Sequence, residues 1–137
     1  MIKFGIVGAG WRSEFYLRIA ALLPEEFSVS GIVIRNPEKR EEFAKKYSVP
    51  IFEDLEALLK TEFDFIVSCV NKASISDFVE SLAEKGIFVL TETPVMKSGL
   101  SKNVQVAEQF HFMPRNQSYK NIIESGILGE VNQVQLS

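Results

Sequence analysis

Residues 2–15 read IKFGIVGAGWRSEF, and the fold turns on how this stretch is parsed. The first six residues are a short apolar run. It breaks off at Gly8 and Gly10, and helix periodicity begins immediately after. Phe15, Ile19 and Leu22 share the spacing of one helix face, with Tyr16, Leu17, Ala20 and Leu23 widening it, and Pro24 punctuates the end. The stretch therefore predicts strand, glycine turn, helix. Such a turn suits a pyrophosphate for physical reasons. Gly8 permits a tight turn and Gly10 permits close approach of the backbone. The helix start supplies free N–H groups and a partial positive charge. The third small position of the pattern is Ser13, not glycine, and serine still allows close helix–strand packing. Ala9, Trp11 and Arg12 complete the loop, and Arg12 is a candidate phosphate ligand. A glycine turn with no ligand is the alternative at this point.

Outward from the loop, the pattern repeats. SVSGIVI (28–34) is β-branched and reads as a second buried strand. NPEKREEFAKKY follows as a helix, with Asn36 as N-cap, Pro37 in the first helical position, acids early and lysines late. A short strand at Ile51 and Phe52 and a short helix over EDLEALL come next. FDFIVSCV (63–70) is another buried strand. Ile75, Phe78, Val79 and Leu82 then mark an amphipathic helix that stops at Gly86, with Ser74 as its expected N-cap. IFVL gives a fifth strand and VQVAEQF (104–110) a sixth. PRNQSYKNIIESG predicts a helix with Ile122 and Ile123 inward, and EVNQVQLS alternates like a half-exposed strand. Strands alternating with helices imply an α/β fold: a doubly wound, Rossmann-type parallel sheet with helices on both faces. Ligands of such sheets bind beyond the carboxyl ends of the strands.

Composition bounds the function. The chain has 137 residues, 46% of them apolar, which suffices for one packed domain. A net charge of −3 provides no basic field for nucleic acid or anionic lipid. The apolar runs are too short to span a bilayer, and the N-terminus lacks a signal-peptide layout, so a cytoplasmic protein is expected. A lone cysteine, Cys69, excludes an internal disulfide and a cysteine-based zinc site, and no metal site is expected. At the end of the second strand, where a carboxylate would bind adenosine ribose hydroxyls, the sequence has Ile34 and Arg35. An arginine there can pair with a 2′-phosphate, which favours NADP over NAD.

Taken together, these segments resemble the Gfo/Idh/MocA family of NAD(P)-dependent oxidoreductases, named for glucose–fructose oxidoreductase and inositol dehydrogenase. FGIVGAGW is similar to the family's opening. FDFIVSCVNKASISDFVESLAEKGIFVLTETP is similar to its core, in which a Pro-Asn-x-x-His turn and a strand ending in Glu-Lys-Pro flank a helix. PRNQSYKNIIESGILGEVNQVQLS resembles the bridge into its second domain. The resemblance implies an NAD(P)-binding Rossmann domain over residues 1–110. It implies that residues 111–137 are the bridge and first strand of a C-terminal substrate domain, otherwise missing or truncated. It further implies a sugar or polyol substrate, with the family's lysine near the reacting hydroxyl and a second-domain histidine as general acid/base. On this reading Gly8, Ala9, Gly10, Trp11 and Arg12 hold the cofactor phosphates, Arg35 the adenosine end, and Asn71, Glu92 and Thr93 the nicotinamide side.

The sequence departs from the family at three places. The Glu-Lys-Pro tripeptide reads Glu92-Thr93-Pro94, so a titratable ammonium is replaced by a neutral hydroxyl. The histidine turn reads Val70-Asn71-Lys72-Ala73-Ser74, and His111 is the only histidine in the chain. Finally, VMKSGLSKN between the fifth and sixth strands is too short for the family's crossover helix and reads as the tail of one whose body is absent. Missing residues, an internal deletion or a tight non-helical crossover would each account for it. Three functions stay open: an oxidoreductase seen in part, a nucleotide-binding module without catalysis, and a partner-dependent protein. For the last, the open edge of VNQVQLS would invite pairing with another chain, including a second copy.

Overall fold

The computed structural model describes residues 1–137 except Lys72, Lys97, Ser98, Val134, Leu136 and Ser137. The described residues form twelve elements. They are β1 (Ile2–Val7), α1 (Trp11–Leu22), β2 (Phe27–Val33), α2 (Pro37–Lys46), β3 (Ile51–Phe52), α3 (Leu55–Leu59), β4 (Phe65–Ser68), α4 (Ile75–Ala83), β5 (Val89–Thr91), β6 (Val104–Val106), a 3₁₀ turn (Gln109–Phe112) and α5 (Pro114–Glu124). The six strands form one sheet in the order β3-β2-β1-β4-β5-β6, and every pairing is parallel. The order reverses direction between β1 and β4, which places the topological switch point there.

The sheet is buried on both faces, and the period of two along each strand divides its residues between two cores. Phe4, Ile6, Ile32 and Val67 face Leu17 and Ala20 of α1 and Phe43 of α2. Their neighbours Val7, Val33 and Ile66 face Leu58 of α3 and Ile75, Val79 and Leu82 of α4. This is why the strands read as continuous apolar runs and not as alternating ones. The cap expected at Asn36 is formed: its Oδ1 accepts the Lys39 N–H at 2.9 Å, with Pro37 in the first turn.

Four expectations from sequence are corrected. The buried stripe of α1 is Ser13, Leu17 and Ala20, whereas Phe15 and Leu22 are exposed. The rotation of α1 is set by Ser13, which is fully buried and donates its hydroxyl to the Gly8 carbonyl at 2.7 Å. The sixth strand ends at Val106, and its expected continuation is the 3₁₀ turn. Ile122 and Ile123 are exposed, because α5 buries none of its residues. No strand forms over the described residues Glu130–Gln133 and Gln135, so these do not supply the open edge expected there; Val134, Leu136 and Ser137 lie outside the described residues.

β5 and β6 pair in parallel across Glu92–Asn103, with no helix among the described residues of that connection. A cleft of about 480 Å³ beside these strands is lined by Phe65, Phe88 and Leu90, on the face of the sheet that also packs α1 and α2. The chain divides into two compact units, Met1–Ala107 and Glu108–Ser137. Among the described residues, all buried apolar residues belong to the first.

Candidate functional site

The C-terminal end of β1 leads directly into the glycine loop. The Gly8 N–H donates to the Val33 carbonyl, and the Cys69 N–H donates to the Val7 carbonyl, so the loop is suspended between the ends of β2 and β4. Gly8 has φ +113°, and a Cβ there would lie 2.5 Å from the Cys69 carbonyl oxygen. Only glycine fits on both counts. Gly10 differs: it caps α1 with extended backbone, and a Cβ built on it meets nothing within 4 Å. Among the described residues no side chain caps the α1 N-terminus. Open space over a glycine and an uncapped helix start form the cradle that an anionic pyrophosphate requires, so the residues present fit a dinucleotide.

Two clefts flank the loop and share Cys69 and Val70 as a common wall. The larger, about 370 Å³, is lined by Gly8, Ala9, Ile34, Arg35, Asn36 and Asn71 among others. It lies at the ends of β1, β2 and β4, where an adenosine half would sit. Arg35 is exposed at its rim. The Asn71 Oδ1 accepts from the Ser74 N–H at 3.3 Å and the Ser74 hydroxyl at 3.0 Å. Ser74 therefore stands at the N-cap position of α4 as expected, but its hydroxyl bonds Asn71 and not the helix backbone.

The smaller cleft, about 270 Å³, is lined by Gly10, Trp11, Arg12, Cys69, Val70, Glu92 and Thr93. Glu92 is 7% exposed. Both of its oxygens are engaged: Arg12 Nε lies 3.1 Å from Oε2, and the Tyr16 hydroxyl donates to Oε1 at 2.7 Å. The Arg12 guanidinium also sits 4.3 Å from the centre of the exposed Trp11 ring, a cation–π contact. Burial pushes the Tyr16 hydroxyl pKa up, and its bond to the Glu92 carboxylate pushes it further the same way. Burial likewise raises the Cys69 thiol to about 12, with the Ser13 hydroxyl opposing and the Glu92 charge reinforcing. Cys69 is thus a neutral thiol near pH 7 and a poor nucleophile. Thr93 is exposed in the same cleft. His111 falls in the 3₁₀ turn of the second unit, and its side chain lies outside the described residues. Among the described residues no cluster of three or more His, Cys, Asp or Glu is placed to hold a metal ion. Among them, too, no helix is long and apolar enough to cross a membrane.

Sequence reasoning counted Tyr16 only as part of an apolar face. The signal was present: Arg12 and Tyr16 are four residues apart, one helical turn, and so reach the same point in space.

A parallel sheet with this strand order and a glycine loop at the switch point defines a Rossmann-type dinucleotide-binding domain. Comparison with known proteins agrees. The profile of an oxidoreductase family with an NAD-binding Rossmann fold, Gfo/Idh/MocA, matches residues 2–117, and the chain belongs to that family. It is 29% identical over 96 residues to the scyllo-inositol 2-dehydrogenase (NADP(+)) IolU of Bacillus subtilis, covering 69% of this chain and 29% of that protein. It superposes on the WlbA dehydrogenase of Bordetella pertussis, solved with NADH and UDP-GlcNAcA, with a TM-score of 0.79 at 22% identity, over 93% of this chain and 43% of that one. It also superposes on an oxidoreductase of Thermotoga maritima, with a TM-score of 0.77 at 27% identity, over 94% of this chain and 44% of that one. The chain thus spans less than half the length of these relatives.

Proposed function

We propose that this chain forms the cofactor-binding part of an oxidoreductase that passes hydride between a nicotinamide dinucleotide and a hydroxyl of a sugar or polyol, with NADP(H) preferred over NAD(H). The observation that carries the reading is the cradle at Gly8–Gly10, open above Gly10 and uncapped at α1, between two clefts that suit the two halves of a dinucleotide. Arg35 at the rim of the larger cleft, in place of a carboxylate, supports the choice of NADP(H). The substrate class is supported by the relatives, among them the B. subtilis inositol dehydrogenase and a Lactobacillus casei scyllo-inositol dehydrogenase solved with NAD(H) and scyllo-inositol.

In this site the cofactor supplies the hydride chemistry when bound. The residues of the chain bind and orient. The loop backbone and the α1 N-terminus hold the phosphates, Arg35 faces the adenosine ribose, and Thr93 presents a hydroxyl to the substrate side. A threonine hydroxyl hydrogen-bonds an oxygen but does not titrate near neutrality, so it orients without moving a proton at working pH. That observation favours a second reading, a nucleotide-binding module without catalysis. Residues 108–137 are read as the bridge towards a substrate domain.

Titration of the purified chain with NADPH and NADH, followed by the quench of Trp11 and the rise of dihydronicotinamide emission, tests the proposal. Tighter binding of NADPH than of NADH is expected. Tighter binding of NADH removes the preference for NADP(H), and failure to bind either nucleotide overturns both readings.

A further inference from the structure

β5 is not a neighbour of β1 in the sheet; β4 lies between them. Yet Glu92, the residue that follows β5, reaches across the end of β4 to two side chains of α1. Arg12 approaches one oxygen at 3.1 Å and Tyr16 donates to the other at 2.7 Å. The Glu92 N–H also donates to the Ser68 carbonyl of β4 at 3.2 Å, which fixes the backbone from which the carboxylate projects. A buried carboxylate is costly unless charge and hydrogen bonds compensate it, and here both oxygens are compensated by groups more than 70 residues away in sequence. The guanidinium is held in turn by the face of Trp11.

We infer that Arg12, Glu92 and Tyr16 form a latch that fastens the end of β5 to the first turns of α1, and that Arg12 serves the nucleotide through this latch and not by meeting a phosphate. The inference rests on the nucleotide-binding reading above. Its consequence is positional. The latch sets the wall of the smaller cleft and the place from which Thr93, the next residue, faces it. The larger cleft is lined by other residues, and the phosphate cradle is backbone to which none of the three side chains belongs. Arg12, Glu92 and Tyr16 are therefore positioning residues for the nicotinamide end.

Two probes separate this role from direct phosphate contact and from simple loss of structure. NADPH fills both halves of the site. 2′-Phospho-ADP-ribose carries the adenosine, its 2′-phosphate and the pyrophosphate but lacks the nicotinamide. Arg12→Gln and Glu92→Gln should each weaken NADPH by about tenfold, about 1.4 kcal/mol, and leave 2′-phospho-ADP-ribose within about twofold of wild type. The double variant should lose no more than the worse single one, because the two substitutions remove one interaction. Tyr16→Phe deletes only the hydroxyl, and it should show the same selectivity in milder form even where a charge substitution unfolds the chain. Equal weakening of both probes by Arg12→Gln, tighter NADPH binding by Glu92→Gln, or unchanged NADPH affinity in all variants overturns the latch. A wild-type chain that binds neither probe refutes the functional reading, and the latch is then judged without nucleotide. Trp11 is the only tryptophan. Releasing Arg12 in Glu92→Gln should shift its emission, and unchanged emission overturns the latch.

Discussion

Two glycines two residues apart have separable duties. Gly8 holds φ +113°, and a Cβ built on it would lie 2.5 Å from the Cys69 carbonyl oxygen, so any side chain meets both backbone strain and backbone atoms that cannot yield. Gly10 has φ −91° and open space above it. Gly8→Ala is therefore expected to destabilise the fold by about 3 kcal/mol, strain and overpacking together. Gly10→Ala should leave unfolding within about 0.5 kcal/mol of wild type and weaken NADPH by tenfold or more, because its methyl occupies the space that the pyrophosphate needs. Denaturant unfolding and fluorescence titration of both variants check the division. A binding defect for Gly8→Ala alone would show that the cradle is misassigned. The glycines were legible in sequence because their spacing lies within one turn and carries its own geometric meaning. The environment of Arg12 was not legible. Glu92 lies 80 residues further on, and only the sheet order brings the two together.

At the scale of elements, several boundaries were legible from local chemistry: β1 closes at Gly8, and α2 and α3 begin at the side-chain caps Asn36 and Asp54. The face of α1 was not. Hydropathy alone weights Phe15 and Leu22, but helix rotation is fixed by the tightest contact, Ser13 against Gly8. At about 100° per residue, Leu17 and Ala20 lie within about 40° of Ser13, whereas Phe15 and Leu22 lie about 160–180° away. The small residue directs the helix, and the large ones are left in solvent. Leu17→Ala should then cost about 2–5 kcal/mol, whereas Leu22→Ala, at a position 79% exposed, should change stability by no more than about 0.5 kcal/mol. Chemical denaturation of the pair distinguishes this stripe from the one hydropathy suggests, which predicts comparable losses. α5 shows the complementary limit. Its apolar residues are readable as a pattern, but burial also needs an opposing surface, and the pattern does not supply one.

For the whole molecule, the two units differ in kind. Met1–Ala107 holds both hydrophobic cores, the six-stranded sheet, the glycine loop and both flanking clefts. Among the described residues, Glu108–Ser137 buries none and leaves Ile127 and Leu128 exposed. The hydrophobic effect scales with apolar area removed from water, so the driving force for folding resides in the first unit. Ending the chain at Ala107 keeps β6 intact, including the Ala107 N–H bond to the Thr91 carbonyl that joins it to β5. The truncated chain should therefore unfold cooperatively with a midpoint within about 4 °C of the full chain, the shift that about 1 kcal/mol produces in a domain of this size. Its NADPH affinity should be unchanged, since every residue assigned to the cradle and the latch precedes Ala107. Differential scanning calorimetry and the same fluorescence titration measure both quantities. A large fall in midpoint with affinity retained would mean that the second unit stabilises the sheet without serving the nucleotide. A loss of affinity with the midpoint retained would place a binding determinant in Glu108–Ser137, and the site drawn from the glycine loop and the latch would be incomplete.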